Sequence, residues 1–156
     1  MNADRFPGPA RARAGKAPAR LTIRLPRALR DSIVAHCLAQ QPLEGCGLLL
    51  GERHGRAAHI HEALPAPNVL ASPHRYEIAP ETVLAADRAA RASSRTLLGA
   101  WHSHPRGAAV PSATDRAEAW PDWCYLIVGL AAPQAPELRA WRVLGEDFVE
   151  DGLEIT

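Results

Sequence analysis

Apolar and polar side chains recur with regular periods along most of the chain, and these periods predict its secondary structure. Residues 21–25 (LTIRL) alternate between apolar and polar, which favours a strand. In residues 26–40 the apolar side chains recur every three to four positions, which favours an amphipathic helix. That stripe consists of Leu29, Ile33, Val34, Cys37 and Leu38. The short apolar run at 44–52 (EGCGLLLGE) predicts a buried strand, and residues 56–64 (RAAHIHEAL) are expected to pair with it.

The second half of the chain continues this alternation of strands and helices. Residues 65–79 contain three prolines and predict an irregular segment that ends in an extended stretch at 75–78 (RYEI). Residues 80–94 begin with a proline and an acidic first turn, which favours a helix. Further along we expect a strand at 96–104, a loop at 105–111, a helix at 112–120 and strands at 123–130 and 138–145. The pattern predicts an α/β fold with no internal repeat.

The length and the N-terminal composition set the domain boundaries. A chain of 156 residues is long enough to bury the core of one domain. Residues 1–19 are rich in arginine, alanine and proline and show no apolar period, so we expect a disordered tail there. This stretch lacks the apolar segment of a secretory signal peptide. Residues 20–156 are predicted to form the single folded domain.

Charge and cysteine content exclude several classes of function. A net charge of +1 argues against a protein that binds nucleic acid through a basic surface. No apolar run approaches the roughly 20 residues that a membrane-spanning helix needs. Cys37, Cys46 and Cys124 are odd in number and include no CxxC pair, so a disulfide framework is not expected. These features favour a protein of the reducing cytoplasm.

The stretch GAWHSHPRGAAVPSATD at 99–115 concentrates groups that can bind a metal. His102 and His104 lie two residues apart at the end of a predicted strand, so their side chains share a face, with Cα atoms roughly 7 Å apart. Ser112 is a good N-cap for the next helix, and Asp115 lies on the same helix face. Two imidazoles and a carboxylate suit zinc and leave a fourth position for water, as in catalytic zinc sites.

Two other features of the sequence allow competing interpretations. The histidine pair in HIH at 59–61 has no serine and aspartate downstream at a matching spacing, and we expect it to be solvated surface. Cys46, in EGCG, could be a nucleophilic thiol with one of the histidines as its base. A cysteine in an apolar strand is more commonly a small core residue. Thiol chemistry therefore stays as the alternative to metal chemistry.

The conjunction of these residues resembles the JAMM, or MPN-plus, metallopeptidases. Their pattern is a distant glutamate followed by H-[ST]-H, seven residues, Ser, two residues and Asp. His102-Ser103-His104, residues 105–111, Ser112 and Asp115 match it without deviation. The glutamate is expected on an earlier strand, and Glu44 fits. The resemblance covers roughly residues 20–145 and implies a curved mixed β-sheet flanked by helices, in the arrangement of the cytidine deaminases.

The resemblance implies a role for each matching residue. His102, His104 and Asp115 would bind one zinc ion, Glu44 would be the general acid–base, and Ser112 would stabilise the oxyanion. Ser103 is expected to point to the opposite face, without a catalytic role.

The resemblance also implies a class of substrate. Relatives with intact motifs cleave peptide or isopeptide bonds after the Gly-Gly tail of ubiquitin-like proteins. Compact prokaryotic members release adducts from small sulfur-carrier proteins, and this short chain is expected to be of that type. The non-enzymatic alternative is an MPN scaffold that only binds protein partners. The sequence identifies neither the carrier, the leaving group nor the oligomeric state.

Overall fold

The computed structural model describes residues 19–156, so that all but the last residue of the predicted tail, 1–19, lies outside the described residues. Each predicted strand and helix is present, with ends shifted by a few residues, whereas the stretch at 75–78 forms no strand. A final strand, β7, was not predicted. The elements in chain order are β1 (Thr22–Leu25), α1 (Arg27–Gln40), β2 (Cys46–His54), β3 (Ala57–Ala66), α2 (Pro80–Ala92), β4 (Thr96–His104), α3 (Ala113–Glu118), β5 (Cys124–Gly129), β6 (Glu137–Leu144) and β7 (Asp147–Ile155).

The strands form one mixed sheet that curves until it closes into a barrel. Their order is β1-β3-β2-β4-β5-β6-β7, and β7 returns to pair in parallel with β1, with Thr22 opposite Gly152 and Leu25 opposite Ile155. The prediction of a curved mixed sheet with helices is therefore confirmed, and the unpredicted strand is the one that closes it.

A buried ion pair holds this closing strand in place. Asp151 on β7 is 2% exposed and accepts hydrogen bonds from Arg142 Nε (2.9 Å) and from the backbone N–H of Leu21 (2.9 Å). Because a carboxylate occupies an inward position of β7, this segment lacks the apolar alternation by which a strand is recognised.

Alternate residues of the central strands serve two separate cores. On one face Leu49, Trp101 and Leu126 pack with α1, which contributes Ile33 and Cys37. On the other face, Leu48, Ala100 and Ile127 pack in a cluster that also includes Ala86 and Ala90 of α2. His102 follows Ala100 by two residues and therefore lies on this second face. Among residues 19–156, no helix combines the length and the apolar content that crossing a membrane requires.

The parallel pairing of β4 with β5 determines where the polar residues meet. Gly99 lies opposite Cys124 and His104 opposite Gly129, so the chain must cross over between the two strands. The crossover consists of the loop at 105–111, helix α3 and the turn that follows it. It brings α3 back to the carboxyl end of β4, next to the two histidines.

Candidate metal centre and active site

His102 and His104 end strand β4 with their rings turned toward the same point. Their Nε2 atoms are 3.2 Å apart, and the ring centroids are separated by 5.0 Å. His102 is 1% exposed, whereas 15% of the His104 side chain is accessible. The pair therefore lies at the boundary between the core and solvent.

Asp115 reaches the same point from helix α3. Its Oδ1 is 3.2 Å from His102 Nε2, and its Oδ2 is 3.0 Å from His104 Nε2. A capping box fixes this carboxylate: Oδ2 accepts the backbone N–H of Ser112 at 2.8 Å, and the Ser112 hydroxyl oxygen accepts the backbone N–H of Asp115 at 3.0 Å. The predicted N-cap at Ser112 is thus confirmed, although α3 ends two residues before the predicted helix end at 120.

The spacing of these three donor groups fits a tetrahedral metal ion. Ligand bonds of 2.0–2.1 Å around zinc put neighbouring ligand atoms about 3.4 Å apart, and the separations here are 3.0–3.2 Å. The ring of His104 is also correctly oriented, because its Nδ1–H donates to the Ala108 carbonyl at 2.9 Å, so that the neutral ring would present its Nε2 lone pair to a metal. Nitrogen and oxygen donors in this arrangement are those that zinc prefers.

Glu44 completes the cluster from the residues just before β2. A carboxylate oxygen of Glu44 and a ring nitrogen of each histidine all lie within 4.8 Å of one another. Glu44 is 3% exposed, and its Oε1 is buried without a hydrogen-bond partner among the described residues. Removal from water disfavours the charged form and raises the pKa of Glu44 to about 8. A group with such a pKa can both accept and return a proton near neutral pH.

The electrostatics of the other three groups differ from those of Glu44. Burial lowers the pKa of His102, which favours the neutral imidazole that binds metals. Burial also disfavours protonation of His104, but hydrogen bonds to Asp115 and the Ala108 carbonyl raise its pKa overall. Burial disfavours the charge on Asp115, yet its hydrogen bonds to both histidines hold its pKa well below the usual range. Asp115 is therefore an anion, whereas the carboxyl group of Glu44 readily takes a proton.

Ser103 has a structural connection to the site that its sequence position did not indicate. As predicted, its side chain points away from the histidines, and it is fully buried. Its hydroxyl oxygen accepts the backbone N–H of Gly45 at 2.9 Å. This bond fastens the residue after Glu44 to the residue between the two histidines.

The segment at 67–79 covers the site and was predicted only as an irregular excursion. The Tyr76 ring stacks on the ring of His102, with centroids 4.5 Å apart and planes inclined by 21°. The carbonyl of Ser72 accepts the backbone N–H of Glu44 at 2.9 Å. Asn68 after Pro67 was the available turn signal, but nothing local shows what such a turn would contact.

A cavity of about 540 Å³ opens directly beside the cluster. His102 and Asp115 form part of its wall, and its interior is mainly apolar and aromatic. At its mouth Leu70, Leu84 and Trp120 are 40%, 56% and 57% exposed. The aromatic part of the wall comprises Tyr76, Trp120, Trp123, Tyr125 and Phe148. A substrate bound at the cluster would therefore extend into an apolar cavity.

Comparison with known proteins identifies this arrangement. The sequence profile of the prokaryotic homologs of the JAB domain matches residues 26–144. The chain belongs to this family. The matched range contains every residue of the cluster just described, and the family is the one that the sequence pattern had indicated.

Curated relatives of this JAB-family chain are peptidases, and so is this chain. A desampylase from Haloferax volcanii is 39% identical over 127 residues, which cover 78% of this chain and 87% of that protein. A probable TtuB-protein conjugate cleaving protease from Thermus thermophilus is 37% identical, with 70% and 71% covered. A CysO-cysteine peptidase from Mycobacterium tuberculosis is 29% identical, with 81% and 86% covered.

A solved structure shows the same fold. The solution structure of a protein from Desulfitobacterium hafniense superimposes with a TM-score of 0.80 at 32% sequence identity. The superposition covers 86% of this JAB-family chain and 92% of the other.

The thiol of Cys46 is poorly placed for nucleophilic chemistry in this JAB-family fold. Cys46 is 0% exposed, and its Sγ–H donates to the Ala66 carbonyl at 3.5 Å. Burial raises the pKa of the thiol to about 12, so the reactive thiolate is scarce at neutral pH. Cys46 is a core residue in this strand.

The histidines of the HIH stretch lie away from the cluster. His61 is exposed, with Nε2 3.5 Å from Glu52 Oε1 at the surface. Neither His59 nor His61 belongs to the group of ligand atoms around Glu44.

Proposed function

We propose that this JAB-family peptidase depends on zinc and hydrolyses the peptide or isopeptide bond after the Gly-Gly C-terminus of a ubiquitin-like or sulfur-carrier protein. The observation that carries the proposal is the convergence of His102, His104 and Asp115 to within 3.0–3.2 Å of one another beside a buried glutamate. The named substrates of the relatives, TtuB conjugates and CysO-cysteine, supply the substrate class.

His102 Nε2, His104 Nε2 and a carboxylate oxygen of Asp115 would hold the metal. When bound there, zinc supplies a Lewis acid that activates water and polarises the scissile carbonyl. The capping box at Ser112 and the Ala108 carbonyl hold two of these three ligands in position before any metal arrives. Such support reduces the ordering that metal binding would otherwise require.

Glu44 would move the proton. Its buried carboxylate takes the proton of the attacking water and returns it to the leaving amine as the bond breaks. General acid–base catalysis of this kind contributes roughly 10²–10⁴-fold to the rate. In the metal-free fold burial raises the pKa of Glu44 to about 8, and a zinc ion beside it would lower that pKa toward the charged form that accepts the proton.

Ser112 would stabilise the negative charge that develops on the scissile carbonyl oxygen. In the capping box its oxygen acts only as an acceptor, so the hydroxyl proton is free to be donated. A donor that is already oriented costs no reorganisation when the charge appears.

The cavity would bind the end of the carrier protein. Two glycines have no side chains and can pass close to the cluster, whereas the residues before them can fill an apolar space.

Three buried cysteines without disulfides support a location in the reducing cytoplasm.

The proposal predicts opposite effects of chelation and alkylation. Cleavage of Gly-Gly-ended carrier adducts from the host should stop with a strong chelator, return with added zinc, and survive a thiol-blocking reagent. The Cys46→Ala variant, which loses only a buried thiol, should cleave at the wild-type rate. Activity that survives chelation but not alkylation would establish the thiol mechanism, and carrier binding without any cleavage would establish the scaffold.

A second prediction concerns the mouth of the cavity. Trp120→Ala removes an exposed indole that lies against the ring of Trp123, with centroids 5.0 Å apart and planes inclined by 40°. The hydrogen bond from the Trp120 backbone N–H to the Tyr125 hydroxyl remains. KM for the carrier adduct should rise roughly tenfold, which corresponds to about 1.4 kcal/mol of lost apolar contact, with kcat little changed.

The matched control for Trp120→Ala is Val69→Ala, which also shortens an exposed apolar side chain but does not line the cavity. Its KM should equal that of the wild type. A KM for Trp120→Ala that is also unchanged would show that the substrate does not use this cavity.

A further inference from the structure

The side chain of Asn68 makes four hydrogen bonds, all of them to backbone groups. Its Nδ2 donates to the carbonyls of Glu44 at 3.1 Å and of Arg75 at 2.9 Å. Its Oδ1 accepts the N–H groups of Leu70 and Glu77, both at 3.2 Å. Because a carboxamide has two N–H donors and two acceptor lone pairs, Asn68 uses its full capacity.

Two of these four partners enclose the residue that stacks on a histidine of the site. Arg75 and Glu77 are the immediate neighbours of Tyr76, whose ring lies against that of His102. One carboxamide thus holds the chain on both sides of this aromatic ring. A third partner is the backbone of Glu44 itself.

The position of Glu44 depends on such backbone contacts, because its carboxylate has little else to hold it. Oε1 has no hydrogen-bond partner among the described residues. The peptide groups around it are fixed by Asn68 at the Glu44 carbonyl, by the Ser72 carbonyl at the Glu44 N–H, and by Ser103 at the Gly45 N–H. Of these, only Asn68 also bonds to both neighbours of Tyr76.

We propose that Asn68 is a positioning residue, which sets the place of Glu44 relative to the stacked rings of Tyr76 and His102. This inference rests on the proposed role of Glu44 as the general acid–base. Misplacement of a reacting group by about 1 Å can cost roughly 100-fold in rate, so a residue that touches no substrate can still control turnover. Asn68 acts here through hydrogen bonds alone.

Two variants of Asn68 test the proposal against a neighbouring control. Asn68→Ala removes all four hydrogen bonds, and the isosteric Asn68→Asp places an oxygen against the Glu44 and Arg75 carbonyls. Each should lower kcat by roughly 10- to 100-fold, with KM and zinc content close to wild type. Amide hydrogen exchange should become faster in the segment at 68–77. Val69→Ala, at the adjacent exposed position, should change none of these quantities.

Combination with Glu44→Gln shows whether Asn68 acts through the base. Once Glu44 can no longer take a proton, adding Asn68→Ala should lower the residual cleavage by no more than about twofold, because coupled residues are not additive. An equal loss in both backgrounds would mean general loosening of the site and would overturn the inference.

Other results separate this inference from the proposed function. If Glu44→Gln is inactive while both Asn68 variants keep the wild-type kcat, the positioning role is wrong and the proposed function stands. If Glu44→Gln is fully active, Glu44 is not the base, and the proposed role of Asn68 is wrong as well. Should Asn68→Ala not fold, Asn68→Asp decides by the same criteria.

Discussion

His102→Ala is expected to bind no zinc. Its cleavage rate should fall by at least roughly two to four orders of magnitude, which is the loss expected when a general base is removed. His102 Nε2 is one of three donor atoms that converge beside Glu44, and Asp115 and His104 alone cannot complete a three-ligand zinc site. Elemental analysis of the purified variant gives the metal content, and cleavage of a carrier adduct gives the activity.

Two further histidine variants make this result specific. His102 is buried under Tyr76, so its removal also costs packing; His104→Ala, at the partly accessible ligand, should lose zinc with a smaller loss of stability. His61→Ala removes an exposed histidine from the surface pair and should keep both zinc and activity. Undiminished zinc in His102→Ala would show that the ligand set has been assigned incorrectly.

Local sequence patterns were sufficient to predict the part of the site that lies on adjoining elements. A two-residue spacing on a strand puts His102 and His104 on one face, and an N-cap serine puts Asp115 on the first turn of the following helix. The short crossover between β4 and β5 then brings the two elements together. Each step depends on residues close in sequence, so the donor cluster could be predicted. Its metal and the role of each member remain proposals.

Contacts between distant segments could not be predicted in the same way. Ser103 bonds to Gly45 across 58 positions, and Asn68 bonds to Glu44 across 24, with no period or motif connecting the partners. Strand β7 was not predicted because Asp151 occupies an inward position, where it accepts the backbone N–H of Leu21 across 130 positions. In all three cases a polar side chain makes the stabilising contact, whereas sequence patterns predict packing from apolar residues.

Glu44→Gln is expected to keep zinc and the fold while turnover falls by two to four orders of magnitude. The amide has the shape of the carboxylate and can still hydrogen-bond to water, but it cannot take a proton. KM should change little, because the lost interaction serves mainly the transition state. Zinc content and single-turnover cleavage rate, measured on the same preparation, test this directly.

Glu44→Gln should also change the pH dependence of the stability of the metal-free protein. The pKa of Glu44 is raised to about 8 in the folded state, against about 4.3 in an unfolded chain. Between these values the folded protein binds a proton that the unfolded chain has lost, so this carboxyl makes the fold progressively less stable as pH rises. Glutamine does not titrate, so Tm of metal-free Glu44→Gln should fall less than that of the wild type between pH 5 and pH 8. Any cost of burying the amide is independent of pH, and the slope is therefore the quantity to compare.

Glu52→Gln is the control for Glu44→Gln, since Glu52 lies on the strand that follows Glu44 but bonds to His54 at the surface. The hydrogen bond to His54 lowers the pKa of Glu52. This variant should keep the wild-type rate and zinc content. Loss of zinc from Glu44→Gln would make Glu44 a metal ligand and not the base. Retained zinc with near-normal cleavage would contradict the proton-transfer role of Glu44, because glutamine cannot take the proton of the attacking water.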